Sequence, residues 1–334
     1  MSESNPRLGL NHLLGLPPSS DFLSKVWPTN HYGFDGPLDR FPGIAQAPQL
    51  SSIESVLNSP HQRLRVFFRN ADGSHGEDYV SPQQAYDLFK RKQVDTIVVD
   101  GVHWGIPPLA DTLLTMQEDL KTPQSLVQCT AYISPKGHGT QMHFDQQEVF
   151  FLQILGNKRW RVAPNNQVKW PLSPFFGYPY MSPDLEQILD GEPVQLPEEI
   201  IEVEMTPGSA FFLPRGYWHS SYAHEDSLAI TFTFASRSWL ELFWERAREK
   251  LIVQEEWREI ANGFRKGSLE KADVEKLSSL IESLKSVVES LSTDEIHSHA
   301  QEMDEKRTTL EKSRIQTIRE STKASQPAID IHYA

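Results

Sequence analysis

A histidine and an aspartate two residues apart could bind a metal ion near the middle of the chain. His143 and Asp145 lie in a stretch that predicts a buried strand over residues 143–155. Side chains two apart on a strand point to the same face, so the imidazole and the carboxylate can converge on one ion. Two imidazoles and one carboxylate are typical of a non-haem Fe(II) site with open positions for substrate and oxygen. The His-x-Asp pair is weak evidence alone, because the second histidine must come from elsewhere.

The strand predicted next carries a lysine among apolar side chains. A Gly-Asn pair at 156–157 predicts a hairpin, and residues 158–163 form the returning strand. Lys158, Trp160 and Val162 share one face of it. A buried lysine normally has an anionic partner, and the carboxylate of an organic cosubstrate could fill that role. The alternative is a lysine that reaches solvent from the end of its strand.

A second histidine lies in a motif with two Pro/Gly turns. Pro207-Gly208, Pro214 and His219 have the spacing Pro-Gly-x5-Pro-x4-His, which resembles the second metal motif of cupin barrels. Combined with the His-x-Asp pair and a lysine fifteen residues after the first histidine, it resembles the JmjC-type Fe(II)/2-oxoglutarate oxygenases. Within that family the chain is most similar to the ribosomal-oxygenase and asparaginyl-hydroxylase branch. The resemblance covers about residues 75–240.

The resemblance implies a catalytic and metal-binding set and a cosubstrate-binding set. The Fe(II) ligands that it implies are His143, Asp145 and His219, and the residues that it implies for 2-oxoglutarate are Lys158, Thr140, Tyr132 and Thr233. Lys158 would pair with the distal carboxylate of 2-oxoglutarate. The match of Tyr132 requires the deletion of one residue in the following loop. With O2 as oxidant, the implied activity is a 2-oxoglutarate-dependent dioxygenase that hydroxylates a side chain of a protein or peptide.

The predicted fold class is α+β. Helices are predicted near residues 82–92 and 110–121, ahead of most of the strands. Short strands punctuated by Pro and Gly are typical of a double-stranded β-helix, a relative of the jelly roll. The predicted strands after the helices cover 127–134, 143–155, 158–163, 209–213, 219–224 and 228–236. The chain is therefore expected to form a cupin-like JmjC barrel with flanking helices and a C-terminal helical bundle.

Three regions are predicted along the chain. Residues 1–45 are expected to form an irregular N-terminal arm, 46–236 the JmjC/cupin-like catalytic domain, and 237–334 a helical dimerisation region. Glycines at 263 and 267 predict a break between helices, and the aromatic residues at 239–244 are expected to lie against the barrel. An apolar stripe at heptad spacing then predicts a homodimer. Its residues are Val274, Leu277, Ile281, Leu284, Val288 and Leu291.

Charge and cysteine content restrict the partners and the compartment. Residues 1–236 carry 16 basic and 26 acidic side chains, a net charge of −10 out of −13 for the chain. This argues against direct nucleic-acid binding and is compatible either with a basic polypeptide substrate or with charge that serves only solubility. A lone Cys129 excludes intrachain disulfides, and no apolar run approaches a membrane span, so a cytoplasmic protein is expected.

Two other functions remain open from the sequence. A cupin barrel can keep its metal and serve as a binding or scaffold protein. An oxygenase can also act on a small molecule, and without 2-oxoglutarate Lys158 would have no anion to meet. A binding protein has no physical need for three metal ligands together with Lys158, so the sequence favours the 2-oxoglutarate-dependent enzyme.

Overall fold

A computed structural model of the chain describes residues 8–70, 75–177, 180–261 and 270–324. The strands in these ranges are β1 (Tyr32–Phe34), β2 (Arg63–Arg69), β3 (His75–Tyr79), β4 (Thr96–Asp100), β5 (Gln124–Ser134), β6 (Glu148–Leu155), β7 (Lys158–Ala163), β8 (Ile201–Met205), β9 (Ala210–Leu213), β10 (Trp218–Ala223) and β11 (Ser227–Ser236). The helices are α1 (Leu10–Leu13), α2 (Phe22–Lys25), α3 (Pro42–Ala45), α4 (Ile53–Leu57), α5 (Pro82–Lys90), α6 (Pro107–Leu120), α7 (Pro183–Leu189), α8 (Trp239–Ile252), α9 (Lys271–Glu289) and α10 (Thr293–Ala324).

The chain divides into two compact units. The first comprises Met1–Lys121, Leu126–Ala235 and Lys312–Ala334, and the second comprises Thr122–Ser125 and Ser236–Glu311. Both sheets belong mainly to the first unit. The predicted region boundaries after residues 45 and 236 remain predictions.

An eight-stranded sheet in the order β1-β9-β6-β11-β5-β4-β2-β3 forms the larger layer of the first unit. Strand β6 lies near its middle and pairs antiparallel with β9 and with β11. Because side chains alternate along a strand, Phe150 and Leu152 point to one face, where they pack with Leu113 and Met116 of α6 in the main hydrophobic core. Burying each such side chain contributes about 1.5–3 kcal/mol.

A three-stranded sheet in the order β10-β7-β8 forms the smaller layer. A second apolar cluster contains side chains from both sheets, so the two sheets face each other across it. Val149 and Phe151 of the large sheet meet Trp160 and Val162 of the small sheet there, and the rings of Phe151 and Trp160 lie 4.3 Å apart between centroids. The inner faces of both sheets therefore enclose the space into which the predicted site residues must project.

The strand predicted over residues 143–155 is too long at its start. Strand β6 begins at Glu148, whereas His143 and Phe144 form only isolated bridges, to His219 and to Phe175. Each of these two residues pairs with a different segment, so no continuous ladder can extend through them. By contrast, β7 covers the predicted 158–163, and α5 begins at Pro82 after the N-cap Ser81, which forms a capping box with Gln84.

The N-terminal region, of which residues 8–45 are described, adds to the large sheet. Strand β1 pairs antiparallel with β9 through Tyr32 and Phe212. Trp27 stacks on Phe150 with 6.0 Å between ring centroids, which ties the segment to the main core. Helices α1, α2 and α3 in this region have four residues each, and the segments between them are largely irregular.

Helices α8 and α9 pack together in the second unit through Ala247, Leu251 and Val287. Leu284 and Leu291 of the predicted stripe pack against this cluster, whereas Ile281 is 51% exposed. The aromatic residues of the first turns of α8 are exposed as well, 87% for Trp239, so the expectation that they lie against the barrel is wrong.

The predicted glycine break at 263 and 267 lies outside the described residues. In the described part of the chain, no helix combines the length and the apolarity needed to span a membrane.

Candidate metal centre

A pair of backbone hydrogen bonds brings the two predicted histidine ligands together. The His143 N–H donates to the His219 carbonyl at 3.0 Å, and the His219 N–H donates to the His143 carbonyl at 2.8 Å. This isolated antiparallel bridge joins the segment before β6 to β10, and the two imidazole centroids lie 4.0 Å apart. Directly opposed residues on antiparallel segments place their side chains on the same face, which explains the convergence.

Asp145 completes the cluster. Its Oδ2 atom lies 3.9 Å from His143 Nε2 and 3.4 Å from His219 Nε2. The Gly216 N–H donates to the Asp145 carbonyl at 2.9 Å, which fixes the backbone that carries the carboxylate. One ligand atom from each of the three residues lies within 4.8 Å of the other two, the only such His/Cys/Asp/Glu group in the part of the chain that the structure describes.

The imidazole Nδ1 atoms are held by backbone carbonyls. His143 Nδ1 lies 2.7 Å from the Gln141 carbonyl, and His219 Nδ1 lies 3.0 Å from the Tyr217 carbonyl. A proton on each Nδ1 satisfies these contacts and leaves the Nε2 lone pair free to bind a metal. Two imidazoles and one carboxylate so arranged fit the donor set of a non-haem Fe(II) ion.

The protonation states suit metal binding. Burial lowers the pKa of His143 to about 4, and the neighbouring His219 acts in the same direction. Burial alone would raise the pKa of Asp145, but the hydrogen bond with His219 and the charges of both imidazoles lower that pKa overall. At neutral pH the cluster therefore presents a neutral imidazole at His143 and an ionised carboxylate, the forms that bind a metal.

Lys158 is buried, with 1% of its surface exposed, at the start of β7. Its Nζ donates to Ser134 Oγ at 3.2 Å and lies 5.6 Å from the Trp160 ring centroid. No acidic side chain of the described residues forms an ion pair with it, and burial lowers its pKa to about 8. The lysine does not reach solvent, so the alternative left open by the sequence does not apply.

Thr140, Tyr132 and Thr233 also lie around this interior. The Thr140 hydroxyl lies 2.9 Å from Ser221 Oγ on β10. Burial raises the pKa of the Tyr132 phenol, and the charge of Asp145 acts in the same direction. Thr233 of β11 lies opposite the inward-facing Val149 and alternates with side chains of the main core, so it projects into the space between the sheets.

Comparisons with known proteins cover the same part of the chain. Residues 110–242 match the family model of the JmjC domain. This confirms the resemblance that the motifs carry, and the match spans the three predicted ligands and Lys158.

Proteins similar to this chain come from bacteria among others. The chain is 28% identical over 274 residues to the protein YxbC of Bacillus subtilis. The aligned region covers 79% of this chain and 82% of YxbC. The chain is 29% identical over 233 residues to the ribosomal protein uL16 3-hydroxylase of Escherichia coli. The aligned region covers 66% of this chain and 54% of that protein. The chain therefore spans about half the length of that hydroxylase.

A solved structure shares the fold. The X-ray structure of E. coli ycfD matches with a TM-score of 0.50 at 19% identity, over 79% of this chain and 66% of that chain. At this identity the match supports a common fold of the JmjC domain.

Several residues near the cluster of His143, Asp145 and His219 were not predicted from the sequence. Strand alternation from Tyr132 and from His219 could have indicated Ser134 and Ser221. The ring of Phe176 stacks on His143 with 5.2 Å between centroids and is 62% exposed, and no sequence signal marked it. Glu148 forms a buried ion pair that likewise carried no sequence signal.

Proposed function

We propose that this chain is an Fe(II)- and 2-oxoglutarate-dependent oxygenase that hydroxylates a side chain of a protein or peptide. The burial of Lys158 carries the proposal. A lysine that is 1% exposed and has no acidic partner in the described residues requires an anion to offset its desolvation. Its strand pairs with β10, which carries His219, so an anion at Lys158 lies in the same interior as the metal cluster.

The roles of the chain's own groups follow from their positions. His143 and His219 would bind iron through Nε2 and Asp145 through a carboxylate oxygen. Iron and its cosubstrate, when bound with O2, supply the oxidising chemistry that hydroxylation of a C–H bond requires. Lys158 would bind the distal carboxylate of 2-oxoglutarate by a charge-assisted hydrogen bond, which is shorter and stronger than a neutral one.

Hydroxyl groups line the rest of the proposed cosubstrate site. Ser134 already contacts the Lys158 ammonium and would hold it in position. Thr140, Tyr132 and Thr233 would donate further hydrogen bonds to the cosubstrate. The apolar cluster between the sheets, which includes Trp160, would exclude water and strengthen each of these polar contacts.

A protein substrate is supported by the name of a relative, the ribosomal protein uL16 3-hydroxylase. The net charge of −13 would favour a basic polypeptide by long-range attraction and disfavour direct contact with nucleic acid. We place the activity in the cytoplasm, where a lone cysteine and Fe(II) chemistry are both compatible with a reducing environment.

The finer architecture is part of the proposal. The two facing sheets would form the double-stranded β-helix of a cupin-like barrel, and helices α8–α10 a C-terminal bundle. Exposed apolar side chains on α8 and α9, among them Trp239 and Ile281, would be covered in a homodimer.

The test of the substrate class is mass spectrometry. The native chain is incubated with Fe(II), 2-oxoglutarate and O2 together with total ribosomal proteins, and in parallel with a panel of small organic acids and amino acids. A mass gain of one oxygen atom on a ribosomal protein, absent with Asp145→Ala, supports the proposal. Oxidation confined to the small molecules would contradict the protein-substrate assignment.

A further inference from the structure

Two segments carry the proposed ligands, and a buried ion pair connects them. Arg215 Nε lies 3.2 Å from Glu148 Oε1, and their side chains are 7% and 2% exposed. Glu148 follows Asp145 by three residues at the first position of β6. Arg215 precedes His219 by four residues in the turn between β9 and β10. The pair therefore links the segment that carries Asp145 to the turn that leads into His219.

Two further contacts link the same segments. The Gly216 N–H bonds to the Asp145 carbonyl, and His143 bonds to His219 through both backbone groups. Gly216 adopts φ +82, and a Cβ atom there would come within 2.7 Å of Pro171 Cδ, so this turn has one tightly defined backbone. The Arg215–Glu148 pair adds a side-chain constraint beside that backbone contact.

Stability alone is a weak reason for such a pair. Removing two charges from water carries a large desolvation cost, and well-packed apolar residues of similar volume are often as stabilising. A buried guanidinium 3.2 Å from a buried carboxylate does restrain the separation of the two segments. Groups outside the coordination sphere that orient metal ligands change metal affinity about 10- to 100-fold when they are removed.

We propose that Arg215 and Glu148 are positioning residues that hold Asp145 and His219 at metal-binding separation. This inference rests on the proposed metal site. Neither residue would contact the ion or the cosubstrate. Their removal is expected to weaken metal binding without a matching loss of folding stability.

The test measures the affinity for a metal ion separately from the stability of the fold. In the double variant Glu148→Met with Arg215→Met, both charges of the pair are removed together, so neither of the two remains as a buried charge without the other, and the urea midpoint of the metal-free chain should stay close to that of the native chain. Anaerobic calorimetric titration with Co²⁺ alone should show a Kd about 10- to 100-fold higher than native. The matched control is Arg237→Met with Glu245→Met, which removes another ion pair with a buried arginine, in the second unit. Its Co²⁺ Kd should equal the native value.

If the folded double variant binds Co²⁺ with the same Kd as the native chain, the positioning role is overturned and the proposed metal site stands. A native chain that binds no Co²⁺ would overturn the metal site and this inference together. If the double variant fails to fold, the Co²⁺ Kd of Arg215→Lys is measured instead, because this variant keeps the charge and loses the planar guanidinium. A raised Kd in folded Arg215→Lys supports the inference, and an unchanged Kd overturns it.

Discussion

Lys158 is the residue on which the proposed 2-oxoglutarate site depends. Ser134 is its hydrogen-bond partner, and a neutral hydroxyl compensates little of the cost of burying an ammonium group. Burial accordingly lowers its pKa to about 8. A bound carboxylate would reverse this effect, since an opposite charge favours the protonated amine.

Replacing this lysine should weaken cosubstrate binding. Truncating one partner of a buried charge pair costs about 2–5 kcal/mol, so Lys158→Ala should raise the 2-oxoglutarate Kd about 30-fold to a few thousand-fold. Calorimetric titration of the Co²⁺-loaded protein measures it, with Lys90→Ala, an exposed lysine on α5, as the matched control. Equal 2-oxoglutarate Kd values for native protein and Lys158→Ala would show that the cosubstrate does not meet this amine.

The lowered pKa of Lys158 predicts a pH dependence with a definite sign. Below pH 8 the amine is protonated before the carboxylate binds. Above pH 8 a proton must be taken up on binding, so the 2-oxoglutarate Kd should rise, by up to about tenfold per pH unit. Lys158→Arg should show no such rise over the same range, because a guanidinium stays charged. A native Kd that is constant from about pH 7 to about pH 10 would count against this prediction.

At the scale of elements, periodicity identified the strands that carry the site. Strand β7 was located at both ends, because a Gly-Asn hairpin signal precedes it and its side chains alternate. Strand β8 (Ile201–Met205) was missed, although Ile201, Val203 and Met205 alternate with two glutamates, which is a strand pattern. The start of β6 was misplaced because isolated bridges to distant segments leave no local periodicity.

The composition of the site could be predicted from the sequence only where a spacing rule exists. The His-x-Asp pair, the lysine and the Pro-Gly motif each have a fixed spacing. The presence of Ser134 and Ser221 in the site depends on which face of their strands points inwards. The contact of Phe176 with His143 depends on the path of the segment after β7. The Arg215–Glu148 contact depends on the register between distant segments, which no local pattern encodes.

Strand β10 supports the site through a hydroxyl that the sequence did not reveal. Ser221 Oγ accepts from the Thr140 N–H at 3.1 Å and lies 2.9 Å from Thr140 Oγ1. Ser221→Ala leaves that N–H without its acceptor, which should lower the free energy of unfolding by about 1–3 kcal/mol. Urea denaturation measures it. Ser220→Ala is the control, since strand alternation points Ser220 to the other face, and an equal loss in both variants would exclude a specific role for the Ser221 hydroxyl.

At the scale of the whole molecule, the exposed apolar side chains of the second unit predict self-association. Trp239 is 87% and Ile281 is 51% exposed, so Trp239→Glu with Ile281→Asp should convert a dimer into a monomer in sedimentation. The control is Ile188→Asp, which changes a 50% exposed isoleucine on α7 in the first unit. A native chain that sediments as a monomer at micromolar concentration would contradict the predicted homodimer.

The oxygenase activity is tested most directly by the conversion of 2-oxoglutarate to succinate. Native protein with Fe(II) and O2 should form succinate. His143→Ala and Asp145→Ala should form none and yet remain folded, because the apolar cores do not depend on the ion. Succinate formed equally by native protein and by folded ligand variants would contradict the assignment of the metal centre. No succinate from a native chain that binds both Fe(II) and 2-oxoglutarate, with ribosomal proteins present, would contradict the proposed oxygenase activity.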